Sequence, residues 1–161
     1  MKQFNFILLI LVEFILISML VIRFDNVIKI IKGIIYLQIL IYTSYFDYKV
    51  KIIPDKIHIL ILVVALIQID LSSSILNLFV FFVPFYVTAI IEYRLLKRCM
   101  GGGDIKYMAS NGFFLGFKGT EPIIIIIGSL LLSLIINCKS HKKEIALAPY
   151  LSIACYLAYL I

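Results

Sequence analysis

Long apolar runs, separated by polar stretches only a few residues long, constrain this chain more than any other feature. Most approach the roughly 20 residues that a helix needs to cross a ~30 Å hydrocarbon core. Lipid offers no partner for backbone N–H and C=O groups, so a spanning run must satisfy them within itself, as a helix does. Composition agrees: 63% of the 161 residues are hydrophobic and 15% are charged, with mean hydropathy +1.12. The expectation is an all-α polytopic membrane bundle of about six or seven transmembrane helices. Their approximate limits are 4–22, 28–46, 56–71, 74–95, 104–117, 121–138 and 144–161. The first run, Phe4 to Val21, is long enough to span and no small-residue cleavage site follows, so it is read as a helix of the mature chain. Pro84 and Pro149 fall inside two of these segments, where kinks are expected.

Charge orients the bundle, because cytoplasmic loops accumulate Lys and Arg. With the N-terminus inside, only Arg23, Lys29, Lys32 and Lys118 of the 15 basic residues lie on the far side. Both Asp47 and Asp104 then face the cytoplasm. The net charge of +6 is explained by this orientation toward anionic lipid, and no basic face with interleaved aromatics suggests nucleic acid. Cys99, Cys138 and Cys155 form no Cys-x-x-Cys pair, which removes zinc ribbons and thioredoxin-like sites. His58 and His141 lack metal-ligand spacing and read as interfacial polar residues; no metal and no cofactor is expected. Gly-x-Ser-x-Gly and His-Glu-x-x-His are also absent.

What remains is a pair of acids at helix ends. Asp104 follows Gly101, Gly102 and Gly103 at the mouth of one apolar segment, and Asp47 ends an earlier one. Hydrolysis without a metal or a covalent nucleophile needs one carboxylate to take a proton from water and one carboxylic acid to protonate the substrate. Two carboxyls held close together do this by splitting their titrations. Helix dipoles suggest an asymmetry, with Asp47 at a negative end and Asp104 at a positive one. Asp104 is accordingly expected to ionise first, with Asp47 holding the shared proton. The three glycines are expected to supply positive φ and close substrate approach. Lys106 faces away from Asp104 on a helix and reads as an anchor to lipid headgroups. The fifth segment spans only ~20 Å at the helical rise, so either the bilayer thins or protein buries its ends.

These residues carry a family resemblance. Gly101-Gly102-Gly103-Asp104-Ile105-Lys106 resembles the GxGD signature, with its following Lys, of the type IV prepilin peptidase family. Asp47-Tyr48-Lys49 followed by Ile53-Pro54-Asp55 is similar to the upstream aspartate motif. Ala148-Pro149-Tyr150-Leu151 is a weaker match to a Gly-Pro-Phe-Leu element near the family's C-terminus. Order and spacing agree from about Ser44 to the end. One membrane domain is expected over 1–161, with 1–23 as an extra helix before a six-helix peptidase core at 28–161. The resemblance implies aspartic endopeptidase activity that removes the short basic leader of prepilin-like or pseudopilin-like precursors after a glycine, with Asp47 and Asp104 as the catalytic pair. Larger members carry a preceding domain with two Cys-x-x-Cys motifs and methylate the new N-terminus. That domain is missing here, and the expectation is cleavage alone.

Other polar residues have plainer readings. Asp55, after Pro54, reads first as an N-cap acid and second as a substrate contact. Glu92 reads as a local ion pair with Arg94, although it could also meet the basic leader. Glu13, mid-way along the first helix, is expected to face the bundle, since an exposed charge there is expensive. Asn111, between Ser110 and Gly112, suits close packing with an interhelical hydrogen bond. A small channel or transporter, or a non-catalytic pilin-assembly protein, would also place acids at helix breaks.

Overall fold

The structure is a computed structural model that describes residues 2–96, 101–116, 119, 124, 127–128 and 146–161, with side-chain surroundings from residue 10 onward except at 92, 95 and 96. It is all α, and among the described residues it has six helices: α1 (Lys2–Arg23), α2 (Val27–Val50), α3 (Asp55–Ala65), α4 (Leu71–Leu96), α5 (Gly102–Leu115) and α6 (Ala148–Leu160). Two stretches, Val27–Val50 and Leu71–Ile91, are long and apolar enough to cross a bilayer. The segment expected as a helix at 121–138 lies almost wholly outside the described residues. Large apolar side chains such as Phe14 and Ile22 point outward, the reverse of a water-soluble helix bundle and the arrangement lipid favours.

Local chemistry sets the boundaries, and several differ from those read in the sequence. Asn26 caps α2, its Oδ1 accepting from Ile28 N at 2.9 Å. At its other end α2 runs to Val50, where Lys51 turns left-handed at φ 57° and its N–H bonds Asp47 O at 2.8 Å. Asp47 is therefore inside the last turn, not beyond it. α3 stops at Ala65, six residues short of expectation (71 − 65), and α4 begins directly at Leu71. Pro84 lies within α4, but Pro149 occupies the first turn of α6, where its missing N–H leaves no hydrogen bond broken, and no kink is needed.

Packing explains how the short α5 survives in an apolar setting. It is held between α4 and α3 and also touches α6. A Cβ at Gly112 would stand 2.7 Å from Asn77 O and 2.9 Å from Phe81 Cβ, so only glycine lets α4 approach this closely. Asn77 Nδ2 then donates to Gly112 O at 3.0 Å and Gly116 O at 2.8 Å, satisfying carbonyls at the end of α5 that lipid would leave bare. Asn111 makes the expected interhelical bond, its Oδ1 accepting from Tyr36 Oη of α2 at 2.5 Å.

Two of the basic residues expected on the far side have a structural use. Arg23 donates to Leu160 O at 2.7 Å and Ile161 O at 2.9 Å, closing the end of α6. Lys32, although buried, donates to Ala65 O at 3.2 Å and Ile67 O at 2.8 Å, closing α3, and sits 4.7 Å from the centre of the Phe114 ring. A cation at a negative helix end is favourable, and for Lys32 this offsets its burial. α1 rests on α2 and α6 through Leu20, which meets the Cα of Gly33, and through Glu13, which accepts a hydrogen bond from Gln38 Nε2.

Candidate active site

The polar residues of α2, α5 and α6 are arranged in layers. In the outermost layer, Asp47 in the last turn of α2 is buried, and its Oδ2 accepts from Ala148 N at the start of α6 at 2.9 Å. Leu147 caps α6 with no side-chain hydrogen bond of its own, so Asp47 performs that task from a neighbouring helix. One turn inward, the Tyr107 hydroxyl lies 2.7 Å from Ser152 Oγ and beside the Thr43 hydroxyl. Thr43 is one turn before Asp47, Tyr107 one turn after Asp104, and Ser152 one turn after Ala148. Deeper still, Tyr36 bonds Asn111 and contacts the Cys155 thiol. α2 and α5 are thus antiparallel and in contact one turn beneath both acids, which share one end of the bundle.

Asp104 stands in the first turn of α5, third after the N-cap Gly101, with Asp104 N bonded to Gly101 O at 3.0 Å. Its carboxylate folds back toward the cap: a Cβ on Gly101 would lie 3.0 Å from Oδ2. The glycines do not supply the positive φ that the sequence suggested. Gly101 has φ −58°, Gly102 and Gly103 are helical, and positive φ among described glycines is confined to Gly116 and Gly119. What the missing side chains provide is room. A Cβ on Gly103 would touch Ile53 at 3.4 Å, whereas one on Gly102 would meet nothing within 4 Å. In the Gly-x-Gly-Asp pattern, the two fixed glycines face a neighbour and the free position faces open space.

The dipole argument also changes. Asp47 does lie at the negative end of α2, but the N–H groups opening α6 point at its carboxylate and favour negative charge there. Asp47 therefore lies between the negative end of α2 and the positive end of α6, so the dipole of α2 alone no longer sets its protonation against that of Asp104.

Lys106 is not simply an anchor to lipid headgroups. Its Nζ lies 2.8 Å from Asp55 Oδ1 and ties the start of α5 to the start of α3. Asp55 is likewise not the N-cap: Pro54 is, without a side-chain cap bond, and Asp55 is the first helical residue. The bond and charge of Lys106 hold the Asp55 carboxyl below its ordinary range. Both side chains are exposed, so the pair adds little stability. Ile53 and Pro54 lie in the α2–α3 connection, with Ile53 against Gly103. Glu92 is on α4, its side chain outside the described residues together with Cys99, Cys138 and His141. Among the described residues no cluster of His, Cys, Asp or Glu could hold a metal.

His58, read from the sequence as an interfacial polar residue, takes a different place. It is buried, 7% exposed, between α3 and α5, with its ring 6.4 Å from that of Tyr107. The available signal was its position, one turn after Asp55 in the motif-bearing connection.

An apolar groove of about 350 Å³ follows the α2–α6 seam inward from Ser44, one turn before Asp47, and Pro149, with α1 on one side.

The described residues thus form an all-α bundle with two apolar stretches long enough to cross a membrane and two acids at one end. The comparisons narrow that class. Residues 34–138, well over half of the chain, match the model of the type IV leader peptidase family, and the chain belongs to that family. It is similar to the prepilin leader peptidase/N-methyltransferase of Xanthomonas campestris pv. campestris, 30% identical over 74% of this chain and 46% of that protein. The protein of the same name from Legionella pneumophila is 28% identical over 84% of this chain and 52% of its own length. The chain thus spans about half the length of these relatives. No solved structure matches.

Proposed function

We propose that this chain is an intramembrane aspartyl endopeptidase of the cytoplasmic membrane. Its substrate is a prepilin-like or pseudopilin-like precursor, and it removes the short basic leader after a glycine at the cytoplasmic face. The reading rests on one observation above all: the two motif acids of a leader peptidase family member lie at one end of the bundle, one turn above the Thr43–Tyr107 contact. Asp47 and Asp104 share a single proton, since two carboxylates at short range do not both ionise cheaply. The charged member takes a proton from water, the protonated member gives one to the amide, and the pair is restored when the new amine leaves. The Ala148 N–H orients Asp47, and the missing side chain at Gly101 makes room for the Asp104 carboxylate to fold toward its cap. The apolar groove that starts one turn before Asp47 suits the hydrophobic segment that follows a leader. α1, Lys2–Arg23, is an additional helix packed on the peptidase core.

The test is co-expression with a prepilin-like precursor and mass measurement of the product. Loss of the leader at a glycine, without an added methyl group, is the expected result. An uncleaved precursor, or an ion flux with no cleavage, would contradict the reading.

A further inference from the structure

His58 presents a physical problem that the proposed reaction does not use. Neither ring nitrogen has a hydrogen-bond partner among the described residues, although the side chain is 7% exposed. Leaving a buried donor and acceptor unmade is unfavourable, and an apolar side chain of similar size would remove the penalty. A bundle free to choose its core residues has no reason to keep an imidazole there. Its position suggests the reason. His58 lies one turn beneath Asp55, and Tyr107 one turn beneath Asp104, so the ring sits in the α3–α5 seam at the depth of the layer under the acids. The Asp55–Lys106 pair spans the same seam directly above it and is exposed on both sides, so it parts at little expense.

A peptide undergoing hydrolysis must be extended at the scissile bond, and an extended backbone in a water-poor site has N–H and C=O groups with no partner. A neutral imidazole offers one donor and one acceptor. We propose that His58 is a substrate-contacting residue whose ring nitrogens hydrogen-bond main-chain amides of the extended precursor when it enters the α3–α5 seam. This inference rests on the peptidase reading above, and it adds a third polar group, from α3, to the acids of α2 and α5.

The experiment compares wild type, His58→Leu and His58→Gln, all as full-length protein in detergent micelles with a purified prepilin-like precursor. Melting temperature, KM and kcat are measured for each. His58→Leu is expected to melt above wild type, because it removes two unmade hydrogen bonds, and to raise KM about tenfold, the value of one peptide hydrogen bond. His58→Gln, which keeps a donor and an acceptor, is expected to recover most of the affinity. A His58→Leu protein that melts below wild type would overturn the proposal, since the ring would then have a structural partner. Unchanged KM in His58→Leu would overturn it equally. If wild type cleaves nothing, the peptidase reading fails by itself, whereas a failure confined to His58→Leu leaves that reading intact.

Discussion

Replacing Gly101 by Ala tests whether the room beside Asp104 matters. The backbone of Gly101, at φ −58° and ψ 133°, accepts alanine without strain, so any effect comes from the added methyl group. That methyl would stand 3.0 Å from Asp104 Oδ2, where ordinary contact begins at 3.4 Å. The carboxylate must then yield by about 0.4 Å. A 1 Å misplacement of a reacting group costs on the order of 10²-fold, so this shift predicts a loss of roughly five- to tenfold in kcat. Stability should fall by no more than ~1 kcal/mol, from the weaker N-cap. Gly102→Ala is the internal control, because its Cβ meets nothing within 4 Å. It should keep full activity and gain ~0.4–1 kcal/mol from a less flexible unfolded chain. Initial rates of leader cleavage, with thermal melts followed by circular dichroism, give both quantities. Equal activity in the two variants would refute the reasoning.

Three further outcomes follow from the packing. Gly112→Ala should destabilise by ~2–4 kcal/mol, since α4 must retreat from the new methyl and Asn77 loses its hold on α5; an unchanged melt would contradict the close approach. Tyr107→Phe should lower stability by ~1–2 kcal/mol by leaving Ser152 without its buried partner, which the same melts would detect. Lys106→Met should return the Asp55 carboxyl to its ordinary range, read by NMR titration. The pairing favours the charged carboxylate, so its contribution is complete above the unfolded pKa of ~3.9 and disappears as pH falls through the depressed native value. Only wild type should show that acid-side loss.

Much of this architecture was legible in the sequence because lipid restricts the choices. Apolar runs bounded by charges marked α1, α2 and α4 to within a few residues, and Glu13 and Asn111 took the interhelical roles expected of polar groups in such helices. Segment ends were harder, since they depend on partners remote in sequence. The start of α6 at Ala148 is stabilised by Asp47, about a hundred residues earlier, and the end of α5 by Asn77. The motif acids were visible as residues, but the second dipole acting on Asp47 was not, because it belongs to a helix that only folding brings near. For the glycines, the expectation of positive φ failed. Glycine suggests positive φ in a sequence, and only packing reveals that the missing Cβ matters for its volume. His58 was read as an interfacial residue: its position hints at the site, whereas burial without a hydrogen-bond partner among the described residues shows only in the fold.

The most direct measurement is leader removal from a prepilin-like precursor by wild type, Asp47→Asn and Asp104→Asn proteins present at equal levels in the membrane. The account predicts cleavage by wild type and a loss of at least ~10³-fold in each variant, because neither carboxyl can complete the proton exchange alone. Cleavage that survives either substitution at near the wild-type rate would contradict the aspartyl pair.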